Sequence, residues 1–413
     1  MEGLKPLYRR VAGIDVHRML HVVTALVERA EGTIEQSTRE FGGFKRDCRE
    51  LARWLVELDV ELVVMESTGI YWKSLYSHLE RAGIETWVVN AHSVKHVPGR
   101  KTDITDSQWL AVLARFGLVR GSFIPPQDLR GLRLLSRYRR KLAGMRASEV
   151  NRLHKILDDA GIKLGAVVSE INGMSAKAMV QGLIEGKPID TLLDMARGRL
   201  KSKRDDLRAA LDGDLTERHM FLLTHLHAHI DLLDQELAQM DAYLLAAMAP
   251  YQWAHRLLQT IPGIDQIASA LILIEIGDDM TRFGCADRLA SWAALCPGNN
   301  ESAGKRKTGK TRKGNAIIRY ILCECANAAR ATKSSLAAKY KSLKVRKTHN
   351  KVIVALAHKM IRLIYLLLTR QVAYRDPEID YAAMSARKNA PRWIKQLQLI
   401  GQWPGQTLPP ANT

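Results

Sequence analysis

The chain has 413 residues, enough for two or three domains, and its 46% hydrophobic and 25% charged residues are typical of a soluble globular protein. Its 62 Lys and Arg residues outnumber 43 Asp and Glu residues and give a net charge of +19. This surplus favours a polyanionic partner, most often nucleic acid, because each neutralised phosphate releases counterions. A basic cytosolic enzyme without such a partner is the alternative.

The sequence argues against a secreted, zinc-binding or membrane protein. Five cysteines are too few and too scattered for a disulfide framework, and a single Cys-x-Cys at Cys323 and Cys325 argues against zinc. The start, MEGLKPLYRR, lacks the apolar core of a signal peptide. The apolar stretch VIVALAHKMIRLIYLLL is interrupted by His358, Lys359 and Arg362, which predicts a buried helix. We therefore expect a cytoplasmic protein with no membrane partner.

Residues 9–90 alternate between strand and helix patterns. Three meandering strands are predicted over VAGIDVHR, HVVTALVE and EQSTREFG. A helix, a strand, a second helix and another strand follow over FKRDCRELARWLVEL, ELVVMEST, YWKSLYSHLERAG and ETWVVNA. This order predicts an α/β domain with a ribonuclease-H-like sheet, which we assign to residues 1–127.

Four acidic residues stand out in this predicted domain. Asp15 lies inside the first strand, Glu66 ends the fourth, and Asp103 and Asp106 are three residues apart at the start of an amphipathic helix. In a ribonuclease-H-like sheet the first and fourth strands are neighbours, so the four side chains are expected to cluster. Clustered carboxylates repel each other unless a hard cation binds between them, and Mg²⁺ or Mn²⁺ suits oxygen ligands. The pattern therefore predicts a metal site that acts on a phosphate.

Each acid also has an ordinary structural explanation. Asp103 can cap a helix, Asp106 can complement the helix dipole, and Glu66 can be a simple strand-end acid. Asp15 is harder to explain in this way, because an unpaired carboxylate inside an apolar strand is costly to bury. The set of four in this order favours the metal site.

Residues 128–254 are predicted to be almost wholly helical, with an a/d seam over about three heptads. The seam residues are Leu223, Leu226, Ile230, Leu233, Leu237, Met240 and Leu244. An intramolecular helical hairpin and a dimer interface both fit this coiled-coil pattern, and we prefer the dimer. The Arg-rich stretch 130–157, with Arg139 and Arg140, could be a solvated helix face. In so basic a chain it is expected to lie along nucleic-acid backbone.

Residues 255–375 form a third predicted unit, mainly helical, and residues 376–413 a peripheral tail. Within this unit lies ALCPGNNESAGKRKTGKTRKGN, residues 294–315, a basic, glycine-rich stretch around Ser302. Its glycines let backbone amides approach a phosphate, and its cations can stabilise charge in a transition state. An ordinary loop serine is the alternative, and Ser291 and Thr308 are competing hydroxyls.

Taken together, the motifs GIDVH, ESTGIYW, NAHSVKHVPGRKTDITD and the IPGI…CPGNNESAGKRKTGKTRKGN block resemble one family. These are the DEDD transposases of bacterial mobile elements, the insertion-sequence one-ten family, related to the Piv/MooV DNA invertases. The resemblance runs from about residue 9 to about 375. Each motif is weak alone, but their joint order and spacing are specific.

This resemblance implies a RuvC-like nuclease domain, a helical coiled-coil insertion and a transposase domain. The metal-binding tetrad would be Asp15, Glu66, Asp103 and Asp106, and the nucleophilic serine maps onto Ser302. Family members are described as recombinases guided by a structured RNA, acting as tetramers assembled from dimers. Their composite site forms where one subunit's carboxylates meet another's serine. DNA, a guide RNA and further copies of this chain are thus the expected partners.

Ten basic residues near these motifs are the expected nucleic-acid contacts. They are Arg100, Lys101, Arg139, Arg140, Lys305, Arg306, Lys307, Lys310, Arg312 and Lys313. The leading hypothesis is a recombinase that moves its own element through a phosphoserine intermediate, because covalent capture conserves the energy of the phosphodiester bond. The alternatives are a hydrolytic, metal-dependent RuvC-like junction nuclease, a site-specific DNA invertase, and a non-catalytic nucleic-acid-binding scaffold.

Overall fold

A computed structural model describes residues 5–67, 69–90, 94, 105–298, 300–377 and 381–402. The chain divides into two compact units, Met1–Gln127 and Asp128–Thr413. The first is an α/β unit built on a five-stranded sheet, and the second consists of helices with one two-stranded hairpin.

The sheet of the first unit has the strand order β3-β2-β1-β4-β5. Its strands are β1 (Arg10–Val16), β2 (Leu20–Glu28), β3 (Ile34–Gly42), β4 (Leu62–Glu66) and β5 (Glu85–Val89). The strands β1, β2 and β3 form an antiparallel meander, and β4 and β5 extend it in parallel on the other side of β1. This is the mixed sheet expected of a ribonuclease-H-like domain, with the first and fourth strands side by side.

Helices cover both faces of this sheet. Successive side chains of a strand point to opposite faces, and the central strands carry apolar side chains on both of them. On one face α1 (Lys45–Glu57) and α2 (Trp72–Arg81) pack against a core that includes Ala12 and Ile14. On the opposite face α3 (Asp106–Arg115) packs against a core that includes Val11 and Leu62.

The helix α3 touches the central strand β1 at Gly13. A Cβ atom there would lie 2.1 Å from the carbonyl oxygen of Ser107 and 2.3 Å from the amide nitrogen of Ala111. Both obstacles are backbone atoms, so no side-chain rotation can relieve the clash. The glycine in GIDVH thus permits a close helix–strand approach.

We expect Gly13→Ala to lower the free energy of unfolding by about 2–3 kcal/mol, because α3 must move away from the sheet. Urea unfolding measures the change. A suitable control is Gly131→Ala in a helix, where an added Cβ meets no atom within 4 Å. That variant should gain roughly 0.5–1 kcal/mol from its better helix propensity. Equal stability of the two variants would contradict the packing argument.

The second unit consists of helices α4 to α16, with a hairpin between α12 and α13. Their bounds are α4 (Gln127–Asp159), α5 (Leu164–Val167), α6 (Met174–Ile184), α7 (Ile189–Asp194), α8 (Arg204–Leu211), α9 (Glu217–Ala246), α10 (Gln252–Leu258), α11 (Gln266–Ile276), α12 (Ala286–Trp292), α13 (Ala316–Ala329), α14 (Ser335–Lys344), α15 (His349–Arg370) and α16 (Tyr381–Leu399). The hairpin strands are β6 (Asn300–Ser302) and β7 (Lys305–Thr308).

The predicted a/d seam lies on α9, which pairs with α4 inside the same chain. Seam residues Leu223, Ile230, Leu233 and Leu244 are buried. Four pairs of charged or titratable side chains join the two helices: Arg139–Asp241, Arg146–Asp234, Glu149–His229 and Asp159–His219. As the residue number rises on α4 it falls on α9, so the two helices are antiparallel. This arrangement is the intramolecular hairpin that the seam allowed, and the dimer interface stays a prediction.

The most apolar helix, α15, is a core helix of the second unit. It is the one helix in the described part of the chain that is long and apolar enough to cross a membrane. Half of its apolar window is buried within the protein, and Val352, Leu356, Met360 and Ile364 are fully covered. The prediction of a buried helix at this position is confirmed.

Candidate active site

Two acidic residues lie near the C-terminal ends of neighbouring parallel strands of the sheet, Asp15 one residue before the end of β1 and Glu66 at the end of β4. The register pairs Ile14 with Met65, so Asp15 and Glu66 are the next residues on β1 and β4. Val11 and Gly13 on β1 face α3, as do Leu62 and Val64 on β4. Side chains alternate along a strand, so Asp15 and Glu66 lie on that same face.

A third acid, Asp106, begins the helix above this face. The C-terminal residue of α3, Arg115, accepts hydrogen bonds at its carbonyl oxygen from the amides of Leu7 and Tyr8, just before β1. The helix therefore runs antiparallel to β1, and its first residue lies toward the strand end that carries Asp15. Asp106 is exposed and Asp15 is partly exposed.

The start of α3 is fixed by a buried hydroxyl pair that the sequence analysis missed. Ser107 Oγ lies 2.9 Å from Thr24 Oγ1 on β2, and both residues are buried. Thr105 caps the helix by accepting a hydrogen bond from the amide of Gln108. One sequence signal for this pair was available. Thr24 stands in the apolar strand β2, and a buried threonine hydroxyl needs a hydrogen-bond partner.

The donor chemistry of this acidic edge suits a hard divalent cation, because all three side chains offer carboxylate oxygens. Asp15 Oδ2 also lies 3.1 Å from His17 Nε2. Among the described residues, no three His, Cys, Asp or Glu side chains are close enough together to hold a metal ion. The fourth predicted ligand, Asp103, lies outside the described residues, as do Arg100 and Lys101.

The predicted serine loop contains a β-hairpin. Ser302 ends β6 and pairs with Lys305 across the two turn residues Ala303 and Gly304. Their φ values of 49° and 71° are those of a type I′ turn, which suits the twist of a hairpin. The bridge between Pro297 and Thr311 closes the base of the hairpin.

A buried carboxylate anchors the end of this segment. Asn315 caps α13 by accepting hydrogen bonds from two amides, and its Nδ2 donates to Glu275 Oε2 at 2.7 Å. Glu275 is fully buried on α11, with Arg133 Nε 3.4 Å from the same oxygen. Burial lowers the pKa of Arg133, while Glu275 favours its charged form. The isolated acid in the apolar run LILIEIG was the sequence signal for such a partner.

We expect Glu275→Ala to cost about 3–5 kcal/mol of unfolding free energy, because it leaves Arg133 buried without its counterion. Urea unfolding measures the cost, and limited proteolysis reports release of the 294–315 segment. Glu185→Ala is the matched control, since this exposed acid pairs with Lys187 at the surface, where water screens the ion pair, so its loss should leave the stability nearly unchanged. A cost for Glu275→Ala no larger than the control would refute the anchor.

A large basic cavity of about 1200 Å³ adjoins the base of the hairpin. It lies against the start of α15 and the segment before it. Its cationic lining residues are Lys310, Arg319, Arg346, Lys347 and Lys351, and no carboxylate of the described side chains lines it. Burial lowers the pKa of His358, which also lines the cavity. The cavity thus offers a concentrated positive surface to an anion.

The other predicted basic contacts are distributed differently. Arg139 forms an ion pair with Asp241, and this hydrogen bond raises the pKa of the guanidinium. Arg140 stacks over the ring of Tyr320, with 4.4 Å from its Cζ to the centroid. Arg312 and Lys313 are exposed between the hairpin and α13. Lys305, Arg306 and Lys307 form most of β7, and their side chains lie outside the described atoms.

A ribonuclease-H-like sheet with acids at the ends of its first and fourth strands, and on a helix above them, defines a class of enzymes that process nucleic acids. Comparison with known families agrees. Residues 12–162 match the DEDD transposase profile of the IS110 type, and residues 255–341 match the profile described as transposase IS116/IS110/IS902 family. The two matches together span more than half of the chain. The chain belongs to the IS110 family of transposases, enzymes that act on DNA.

Curated relatives carry the same description. The transposase for insertion sequence element IS1111A of Coxiella burnetii is 26% identical over 335 residues, which cover 78% of this chain and 81% of that protein. The transposase for IS1328 of Yersinia enterocolitica is 23% identical, over 79% of this chain and 89% of that one. Among solved structures, Thermus thermophilus RuvC matches 27% of this chain and 99% of its own, at 13% identity and a TM-score of 0.23. That score is too low to add to the assignment.

Proposed function

We propose that this transposase excises and inserts its mobile element through a phosphoserine intermediate. In this proposal Asp15, Glu66, Asp103 and Asp106 bind Mg²⁺ or Mn²⁺, and Ser302 is the nucleophile. The observation that carries the metal site is the common position of Asp15, Glu66 and Asp106, at one edge and on one face of the sheet. DEDD transposases and RuvC-like nucleases generally use divalent metal ions.

In the proposed reaction the Ser302 hydroxyl attacks a phosphorus atom of the DNA backbone. A P–O bond to serine forms, the P–O bond to the leaving strand breaks, and the serine proton leaves with a base. A bound divalent ion would lower the pKa of a coordinated group and neutralise phosphate charge. Reversal of the step with a different strand hydroxyl releases serine and joins DNA without an external energy source.

The basic cavity beside the hairpin would hold the phosphates that flank the scissile bond. Arg346, Lys347 and Lys351 are exposed there and make no ion pair in the part of the chain that the structure describes. Of the sequence-predicted contacts, we propose that Lys310, Arg312 and Lys313 join them, with Arg100, Lys101, Arg140 and the β7 cations. Arg139 is better explained by its pairing with Asp241.

The guide RNA, the dimer-to-tetramer assembly and the division at residues 127, 254 and 375 are parts of the same proposal. The resemblance to the family and the net charge of +19 support an RNA partner in addition to DNA. Of the alternative functions, a hydrolytic junction nuclease would need only the carboxylates and their metal ion, without Ser302. A DNA invertase would use the phosphoserine chemistry to exchange strands within one DNA molecule.

A covalent-adduct trap tests this proposal. The protein is incubated with supercoiled DNA carrying the ends of its element, denatured and digested, and its peptides are analysed by mass spectrometry. A nucleotide attached to the peptide that contains Ser302 is the expected result. Cut DNA without any modified peptide would instead establish the hydrolytic nuclease.

A further inference from the structure

A second basic groove lies on the first unit, between α1 and α2. Its volume is about 710 Å³. Four cations and a histidine line it, and among the described residues no carboxylate does. These residues are Lys45, Arg49 and Arg53 of α1, and His78 and Arg81 of α2. The groove shares no residue with the proposed metal site or with the serine hairpin.

The sequence of α1 creates one wall of this groove. Lys45, Arg49 and Arg53 are spaced four residues apart, so they form a row along one side of the helix. Eight residues of helix span about 12 Å. One strand of a nucleic-acid duplex presents three or four phosphates over that length.

Small residues leave room between the walls. Ala52 is buried beneath the row of cations, and Ser74 and Ser77 of α2 face it across the groove. The Ser77 hydroxyl donates to the carbonyl of Lys73, and His78 Nδ1 donates to the carbonyl of Ser74 at 2.7 Å. Both hydrogen bonds tie polar side chains to the backbone of α2, so this wall is preorganised.

The charge of the groove is not neutralised by any residue in the described part of the chain. Lys45, Arg49, Arg53 and Arg81 are all exposed, and none pairs with a carboxylate among the residues that the structure places. Other arginines of the same unit behave differently: Arg10 pairs with Asp59 at 2.8 Å, and Arg29 pairs with Glu35. Converging like charges repel each other, so the groove favours a polyanion.

The position of the groove separates it from the reaction. The helices α1 and α2 cover the sheet face that carries Ala12 and Ile14, whereas Asp15, Glu66 and Asp106 lie on the opposite face with α3. A strand held between α1 and α2 is therefore not the strand at the carboxylates.

We propose that this groove binds the phosphodiester backbone of a non-reacting nucleic-acid segment, and that Lys45, Arg49, Arg53 and Arg81 contact its phosphates. The segment is either RNA or DNA that flanks the cleaved site, since both present the same backbone chemistry. This inference does not depend on the serine mechanism.

Fluorescence anisotropy without divalent ions, where no cleavage occurs, tests the groove. The full chain is titrated with a DNA duplex and with an RNA duplex of the same sequence, over a series of salt concentrations. Arg49→Gln/Arg53→Gln should weaken binding of at least one of them about tenfold and reduce its salt slope by about 2. Loss with RNA alone identifies an RNA site, and loss with DNA alone identifies a flanking-DNA site.

The double variant Arg10→Gln/Arg29→Gln is the matched control. It removes the same charge from the same unit at two arginines that already have carboxylate partners. Its salt slope should stay at the wild-type value. Equal loss in both double variants would mean that only net charge matters, and either that result or no loss in the groove variant would overturn the proposal.

Discussion

Asp15→Asn is expected to reduce DNA cleavage by at least about 1000-fold. The substitution keeps the size and shape of the side chain but removes the negative charge that a divalent cation needs. Asp15 stands on the central strand of the sheet, so the other acids approach it from β4 and from α3. Cleavage of supercoiled DNA carrying the element ends measures the effect, and calorimetry with Mg²⁺ should show a weaker or absent binding isotherm.

Asp59→Asn provides the control for this variant. Asp59 is an acid of the same unit whose carboxylate is largely exposed and pairs with Arg10. The Asp59→Asn substitution removes the same charge at a position away from Asp15, Glu66 and Asp106, so DNA cleavage should stay near the wild-type rate. Thermal unfolding should show that both variants keep the fold. Undiminished cleavage by Asp15→Asn would remove the carboxylates from the mechanism and favour a scaffold or an unrelated site.

Ser302→Ala is expected to abolish both the covalent adduct and strand exchange, the latter by at least about 1000-fold. The reason is chemical, because no other group at that position can form a phosphodiester with the DNA strand. The backbone pairing of Ser302 with Lys305 does not depend on the hydroxyl, so the hairpin should form in the variant. Mass spectrometry after denaturation reports the adduct, and recombination between two plasmids reports the exchange.

Two neighbouring hydroxyls serve as controls for the serine. Thr308 lies at the end of β7, and Ser291 lies on α12 in a half-buried position. Ser291→Ala and Thr308→Ala should both retain the adduct on the peptide of residue 302. An adduct that disappears with Thr308→Ala but survives Ser302→Ala would assign the nucleophile to the threonine. Continued strand cleavage by Ser302→Ala with no adduct in any variant would favour hydrolysis.

The sequence predicted the sheet well because its signals are local. The apolar runs around Asp15 and Glu66 are too short for helices, and α1 and α2 have their C-caps at Leu58 and Ala82, a few residues before β4 and β5 begin. Strand order then followed from the ribonuclease-H-like pattern, which brought β1 next to β4.

Tertiary partners were the part that sequence patterns could not supply. Glu275 stands in an apolar run, and nothing local shows that Arg133 and Asn315, 142 and 40 residues away, meet it. The a/d seam was ambiguous for a similar reason, since a helix with an apolar stripe packs equally well on its own chain or on a copy. The ion pairs with α4 show the pairing within the chain only once both helices are placed in space.

The basic stretch 294–315 was predicted from composition as a loop, and its hairpin was not foreseen. Lysine, asparagine and glycine are poor strand formers, so propensity argued against β6 and β7. The turn itself is atypical, because Ala303 adopts the left-handed conformation that asparagine or glycine usually supplies. The bridge from Pro297 to Thr311 closes the base of the hairpin, and the cap at Asn315 begins the helix that follows.

The hairpin also limits how the length of this segment can vary among related transposases. Consecutive residues of a strand point to opposite faces, and the pairing of Ser302 with Lys305 fixes the register at the turn. One residue inserted between the closing bridge at Pro297 and the turn would transfer the serine position to the other face of the ribbon. A second insertion would restore it. Insertions and deletions on this arm therefore keep the position of Ser302 on its face in even numbers, or in odd numbers when a bulge absorbs the extra residue.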